Sequence, residues 1–245
     1  YPAGTSSGAL FFSSALSYNS TTTLNLQNNL LVNTCTPTGT GAAVALRRTS
    51  GTASTVPANY ATTSNNNAFY VTPGASNFLY AENTASPYVN TFTAMPAYKT
   101  FMATRDQASV TENVSFQSTT GSNANFLKYN TGTPSQLESG GVPIAGITTD
   151  YTGTTRNVST PDIGAWELTG IAADLTGPSI TYTNIPNTLC NTEPSLSATI
   201  TDASGVNATA GTAPRLYYKK STDANTFAGN TSANNGWKFV ESTTG

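Results

Sequence analysis

The chain contains no histidine, and only 9% of its 245 residues are charged. Without imidazole there is no Ser-His-Asp or Cys-His nucleophile pair, no histidine metal ligand and no histidine-based pH switch. Ten Lys and Arg against twelve Asp and Glu leave a net charge of −2. So few, dispersed cations exclude the basic footprint of a nucleic-acid-binding protein. No apolar run approaches the roughly 20 residues of a membrane helix, and no segment reads as a signal peptide. Two cysteines, Cys35 and Cys190, are too few for a disulfide framework and are expected to be separate buried thiols in different domains.

What is present is hydroxyl and amide. Ser, Thr and Asn make up about two in five residues, far above the usual share. The 12 Tyr, 10 Phe and 2 Trp argue against disorder, because disordered chains are poor in aromatics and rich in charge. Many β-branched and turn residues, with no helical period beyond two turns, predict an all-β fold. A polar but non-ionic surface of this kind suits an extracellular module. Five Asn-x-Ser/Thr sites (Asn19, Asn113, Asn157, Asn207, Asn230) arise by chance in such a composition and carry no weight.

Along the chain, Leu24, Leu26, Leu30 and Val32 share one parity, so an extended segment points all four to one side. Asn28 falls on the same parity, where an inward amide is costly unless bonded. That pattern predicts a bend between short strands at which asparagine side chains stack from rung to rung. Asn65, Asn67, Phe69 and Val71 repeat the parity, so the expected ladder is Asn28, Asn65 and Asn67; Val110, Val114 and Phe116 form a further rung. Unequal spacing predicts a solenoid with loop excursions rather than a short-period array.

The closing part of this stretch resembles a known family. Thr149-Asp-Tyr-Thr-Gly-Thr-Thr-Arg156, followed by Pro161-Asp-Ile-Gly-Ala-Trp-Glu167, is similar to the last coil of secreted right-handed parallel β-helix proteins, the pectate-lyase-like solenoids. Upstream the chain departs from that pattern: Gly140-Gly-Val-Pro-Ile-Ala-Gly146 stands where many relatives carry Ser-Pro-x-x-Asp-x-Gly. The resemblance covers residues 1–170 and implies a structural cap of Asp150, Arg156, Asp162, Trp166 and Glu167. Arg156 would pair with Asp162 or Glu167, and Trp166 would cover the core.

A linker over 171–177 leads to short alternating strands over 178–245, including Leu196-Ser-Ala-Thr-Ile200, Arg215-Leu-Tyr-Tyr-Lys-Lys220 and Trp237-Lys-Phe-Val240. These resemble the Ig-like modules that follow β-helices in very large, type IX-secreted surface proteins of Bacteroidota. About 70 residues are short of the roughly 100 of an Ig-like sandwich, so the module is expected to be incomplete and the chain an excerpt of a longer polypeptide.

Arg47-Arg48, Arg105-Asp106 and the lone acids Glu82, Glu112 and Glu138 form no carboxylate cluster with metal spacing, so no catalytic residue and no cofactor is expected. Asp174 and Asp202 are weak Ca²⁺ candidates, with Asx-turns the ordinary alternative. Trp237, Phe239, Tyr217 and Tyr218 make either a sugar platform or sandwich core. Thr-x-Thr pairs lack the fixed spacing of an ice-binding face. The expectation is a non-catalytic structural or adhesive segment of a large cell-surface protein. Its partners would be neighbouring modules, glycans or other surface proteins, with no nucleic acid and no membrane span. The alternative is a polysaccharide-binding or polysaccharide-cleaving β-helix.

Overall fold

The computed structural model describes residues 13–19, 21–49, 53–83, 87–185 and 195–243. The protein is mostly sheet, about 4% helical, and its first part is a parallel β-solenoid of about four turns. The chain divides into two compact units, Tyr1–Ala173 and Asp174–Gly245.

In the first unit, β1 (Ser13–Asn19), β3 (Ala43–Thr49) and β5 (Asn77–Glu82) stack in parallel, and β6 (Val89–Phe92) adds antiparallel to β5. A second column pairs β2 (Leu30–Asn33) in parallel with β4 (Ala68–Val71), and the bridge from Ala68 to Val110 extends it by one coil. Further on, β7 (Pro134–Ser135) pairs in parallel with β8 (Ile171–Ala172). The division therefore falls inside the stretch read as a linker, because Ile171 and Ala172 pair with the solenoid.

Between these columns the helix α1 (Met95–Met102) lies against β5 and β6. Its Met95, Tyr98 and Met102 follow the i, i+3, i+7 rule and are all buried. Tyr98 meets Phe69 edge-on at 5.6 Å and Tyr80 at 5.8 Å, joining the helix to one core with Leu26, Leu31, Leu46 and Tyr60. A second core holds Ala68, Val114, Tyr129, Leu137 and Ile163, with Leu30, Val110 and Phe116 against it.

Strand parity changes at the corner. Leu24 and Leu26 belong to the first core, but the next residue to enter it is Leu31, while Leu30 packs against the second core. The cause is Asn28, whose φ of 58° turns the backbone left-handed and shifts the alternation by one. Asn66, one coil on, repeats the turn with φ 55°. Asparagine tolerates this conformation better than other side-chain-bearing residues.

The second unit contains two antiparallel pairs: β9 (Ser179–Tyr182) with β10 (Ala198–Thr201), and β11 (Arg215–Tyr218) with β12 (Lys238–Glu241). Ile180, Tyr182, Leu216, Tyr218 and Val240 remain exposed on these pairs. No helix among the described residues is long and apolar enough to cross a membrane.

Candidate functional site

The corner column runs through Asn29, Asn67 and Ser109, and shares Asn67 with the expected ladder. The N–H of Asn29 donates to Oδ1 of Asn67 at 2.9 Å, and the N–H of Asn67 donates to Oγ of Ser109 at 2.9 Å. Asn67, wholly buried, also gives its amide to the Leu26 carbonyl and to Oδ1 of Asp106. Asn28 and Asn65 are drawn elsewhere: Asn28 makes a reciprocal pair with the Val142 backbone at 2.7 and 2.9 Å, and Asn65 accepts from the Ala108 N–H. Thus Asn67 stacks on Asn29, not on Asn28, because left-handed corners turn Asn28 and Asn66 outward to neighbouring loops.

The closing coil gathers all five cap residues. Nη1 of Arg156 meets Oε2 of Glu167 at 3.2 Å and donates to the Asp162 backbone carbonyl, while Nη2 donates to the Gly164 carbonyl at 2.7 Å. The guanidinium therefore pairs with the carboxylate of Glu167 and with the main chain of Asp162. Glu167 in turn accepts from the N–H groups of Asn157 and Asp162. Asp150 accepts from the N–H groups of Thr152, Thr154 and Glu167. Burial raises its pKa, but the Thr152 hydroxyl and these N–H groups outweigh it and hold the carboxyl below its ordinary value.

Asp162, 1% exposed, accepts from the N–H groups of Ser139 and Leu168 and from the Tyr129 hydroxyl. Burial pushes its carboxyl above the ordinary value despite those bonds, and Glu138 adds to the rise. Ile163 and Leu168 fill the core beneath. Trp166 sits outside that cluster, donating to the Phe126 carbonyl, edge-on to Tyr151 at 4.8 Å and beneath Lys128.

The acids read as lone residues are tied in the same manner. Glu82, wholly buried, accepts from the backbone N–H and hydroxyl of Ser54, from Tyr80 and from Asn90, with Arg48 at 3.8 Å. Glu112 accepts from the Ser135 hydroxyl and the Gln136 N–H, and Glu138 from Tyr129 and the Gly170 N–H. Asp106 takes Asn67, Ser109 and Tyr98. On β3, Arg48 is buried and bonded to Asn59, whereas Arg47 is half-exposed beside Ser17. Tyr80 lies two residues from Glu82 and Ser109 three from Asp106, but Ser54, Ser135 and Gly170 lie 23 to 32 residues from Glu82, Glu112 and Glu138, too far for spacing to reveal them.

In the second unit, Asp174 and Asp202 both accept from the Ser204 N–H, at 3.1 and 2.9 Å, and Asp174 also accepts from Thr176. The Thr176 N–H is the main reason the Asp174 carboxyl lies below its ordinary value. Among the described residues no group of three or more His, Cys, Asp or Glu is placed to hold a metal ion. Tyr217 and Phe239 share a face, and the Phe239 ring is stacked by Phe227 and covered by Arg215 at 4.1 Å. Trp237 has Lys219 over it, and Tyr218 is exposed on the other face. Cys35 is a buried free thiol; Cys190 lies outside the described residues.

A groove of about 410 Å³ opens beside the cap, with Gln27, Ile144, Ile147, Thr155, Asn157 and Val158 among its walls. The chain matches no protein-family model, no curated protein and no solved structure.

Proposed function

We propose that the chain is a non-catalytic, adhesive or scaffolding segment of a large extracellular cell-surface protein. The carrying observation is that every acidic residue before Asp174 is bonded within the solenoid, six of the seven to backbone N–H groups. A carboxylate committed to fixed main-chain donors is a poor general base, because proton transfer would undo the coil it holds. Parallel stacking gives a stiff body whose main-chain ladders do not depend on ionic conditions. The resemblance of the closing coil to secreted right-handed β-helices supports an extracellular setting. The alternating strands of the second unit support an Ig-like module, as in type IX-exported surface proteins of Bacteroidota, whose neighbours in the polypeptide would be its first partners.

The test is to present the purified chain to arrays of glycans and immobilised surface proteins while assaying polysaccharides for new chain ends. Binding without cleavage is the expected result. Release of chain ends that Glu112→Gln or Glu138→Gln abolishes would overturn the reading in favour of a polysaccharide-cleaving β-helix.

A further inference from the structure

The groove beside the cap combines three properties. Its walls are aliphatic, with Ile147 54% and Val158 85% exposed, an unfavourable surface unless something covers it. Among the described residues no acid lines it, and its Arg156 is already matched by Glu167, so no unbalanced charge faces an occupant. None of its described lining residues is aromatic either, so these walls offer no flat plate on which a hexose stacks.

The backbone at its rim adds direction. Thr149 and Thr155 form an antiparallel bridge flanked by bonds from the Arg156 N–H to the Thr148 carbonyl and from the Asp150 N–H to the Thr154 carbonyl. In that pattern the bridged residues' own N–H and C=O groups point outward, away from each other. Thr155 therefore presents an unpaired donor and acceptor at the edge of the groove it lines. The side chain of Gln27 supplies a neutral amide nearby, and Asn157 adds its NH₂ group, its oxygen being held by the Ser159 and Thr160 N–H groups.

We propose that this groove binds an extended, uncharged peptide segment of a partner protein. The peptide pairs its main chain with Thr155 and lays one aliphatic side chain on Ile144, Ile147 and Val158. Edge pairing supplies affinity and the side-chain pocket supplies selectivity. The inference deepens the adhesive reading, on which it rests, by naming what is held.

The experiment titrates short, end-capped, Ser/Thr-flanked peptides with a central Val, Ile or Leu into the whole chain and follows fluorescence polarisation. Controls are the same peptides with a central Asp and neutral oligosaccharides. Aliphatic peptides are expected to bind at least about tenfold tighter than the Asp peptide, because a charge in an apolar groove loses hydration. Val158→Asp should abolish that preference, and since Val158 is exposed, unchanged melting will show the fold intact. Thr155→Ala, which keeps the backbone, should bind as before. Absence of peptide binding, binding indifferent to Val158→Asp, or oligosaccharide binding lost in Val158→Asp would overturn the peptide proposal. If the chain still adheres to surfaces in that event, the adhesive reading stands; cleavage of the oligosaccharides would instead remove both.

Discussion

The Tyr129 hydroxyl lies 2.7 Å from Oδ2 of Asp162 and 2.8 Å from Oε2 of Glu138, so one phenol proton sits between two carboxylates. Burial first, then the two acids, raise the Tyr129 pKa well above its ordinary value, which keeps that proton in place. Tyr129→Phe is expected to cost about 1–3 kcal/mol, since it strips a buried carboxylate of a donor. Denaturant melts would measure it, and an unchanged midpoint would show the bridge to be unimportant.

Asp150 and Asp162 should give the solenoid opposing pH responses. A carboxyl lowered on folding, as Asp150 is, stabilises above the unfolded value of about 3.9 and loses that contribution as pH falls through its folded value. A raised one, as Asp162 is, contributes fully below about 3.9 and loses it as pH rises through its folded value. Melting temperature measured against pH should lose its acid-side decline in Asp150→Asn. Asp162→Asn should lose the decline on the way to neutrality; identical profiles would refute the assignment.

Arg156→Ala should destabilise the solenoid by about 1–3 kcal/mol, because the half-buried Glu167 and the Asp162 and Gly164 carbonyls each lose a donor while Glu167 keeps its two N–H groups. Arg156→Lys should recover only part, because an ammonium cannot reach the Asp162 and Gly164 carbonyls and Glu167 together in the guanidinium's fork geometry. Equal stability of the lysine variant and the parent would contradict this.

Asn67→Ala should cost about 2–4 kcal/mol, because it leaves the Asn29 N–H and a buried Asp106 oxygen without their amide partner. Chemical unfolding should also show the loss confined to the first unit. A change below about 0.5 kcal/mol would mean the corner column does little for stability.

Gly140→Ala should destabilise by about 1–3 kcal/mol, since a Cβ there would collide with the Gln136 carbonyl oxygen and touch Ile163. Gly132→Ala meets nothing within 4 Å and should be near neutral, which makes it the control. Similar melts for the two would argue against tight closure of the last coil.

Much of the solenoid was legible in Leu24–Val32, Asn65–Val71 and Val110–Phe116, because period-2 alternation marks a strand wherever φ stays extended. It failed at Asn28 and Asn66, where positive φ shifts the parity without any change in residue pattern. The grouping of Asp150, Arg156, Asp162 and Glu167 was visible because they fall within one short segment. Tyr129 and Glu138 were not, since the Tyr129 hydroxyl reaches Asp162 across 33 residues and joins Glu138 to it only when coils stack. The groove escaped for the same reason, because Gln27 and Val158 come from opposite ends of the solenoid sequence.

The asparagine column also has a direction. The backbone N–H donors point toward later coils, from Asn29 to Asn67 to Ser109, and the Ser109 hydroxyl closes the run on the Asp106 carboxyl. A nascent chain therefore presents each N–H donor before its acceptor, and Ser109, which follows Asp106, is the last member of the run to emerge. Each corner can close only when the following coil arrives, and a ribosome paused before Ser109 holds two coils whose column is still open.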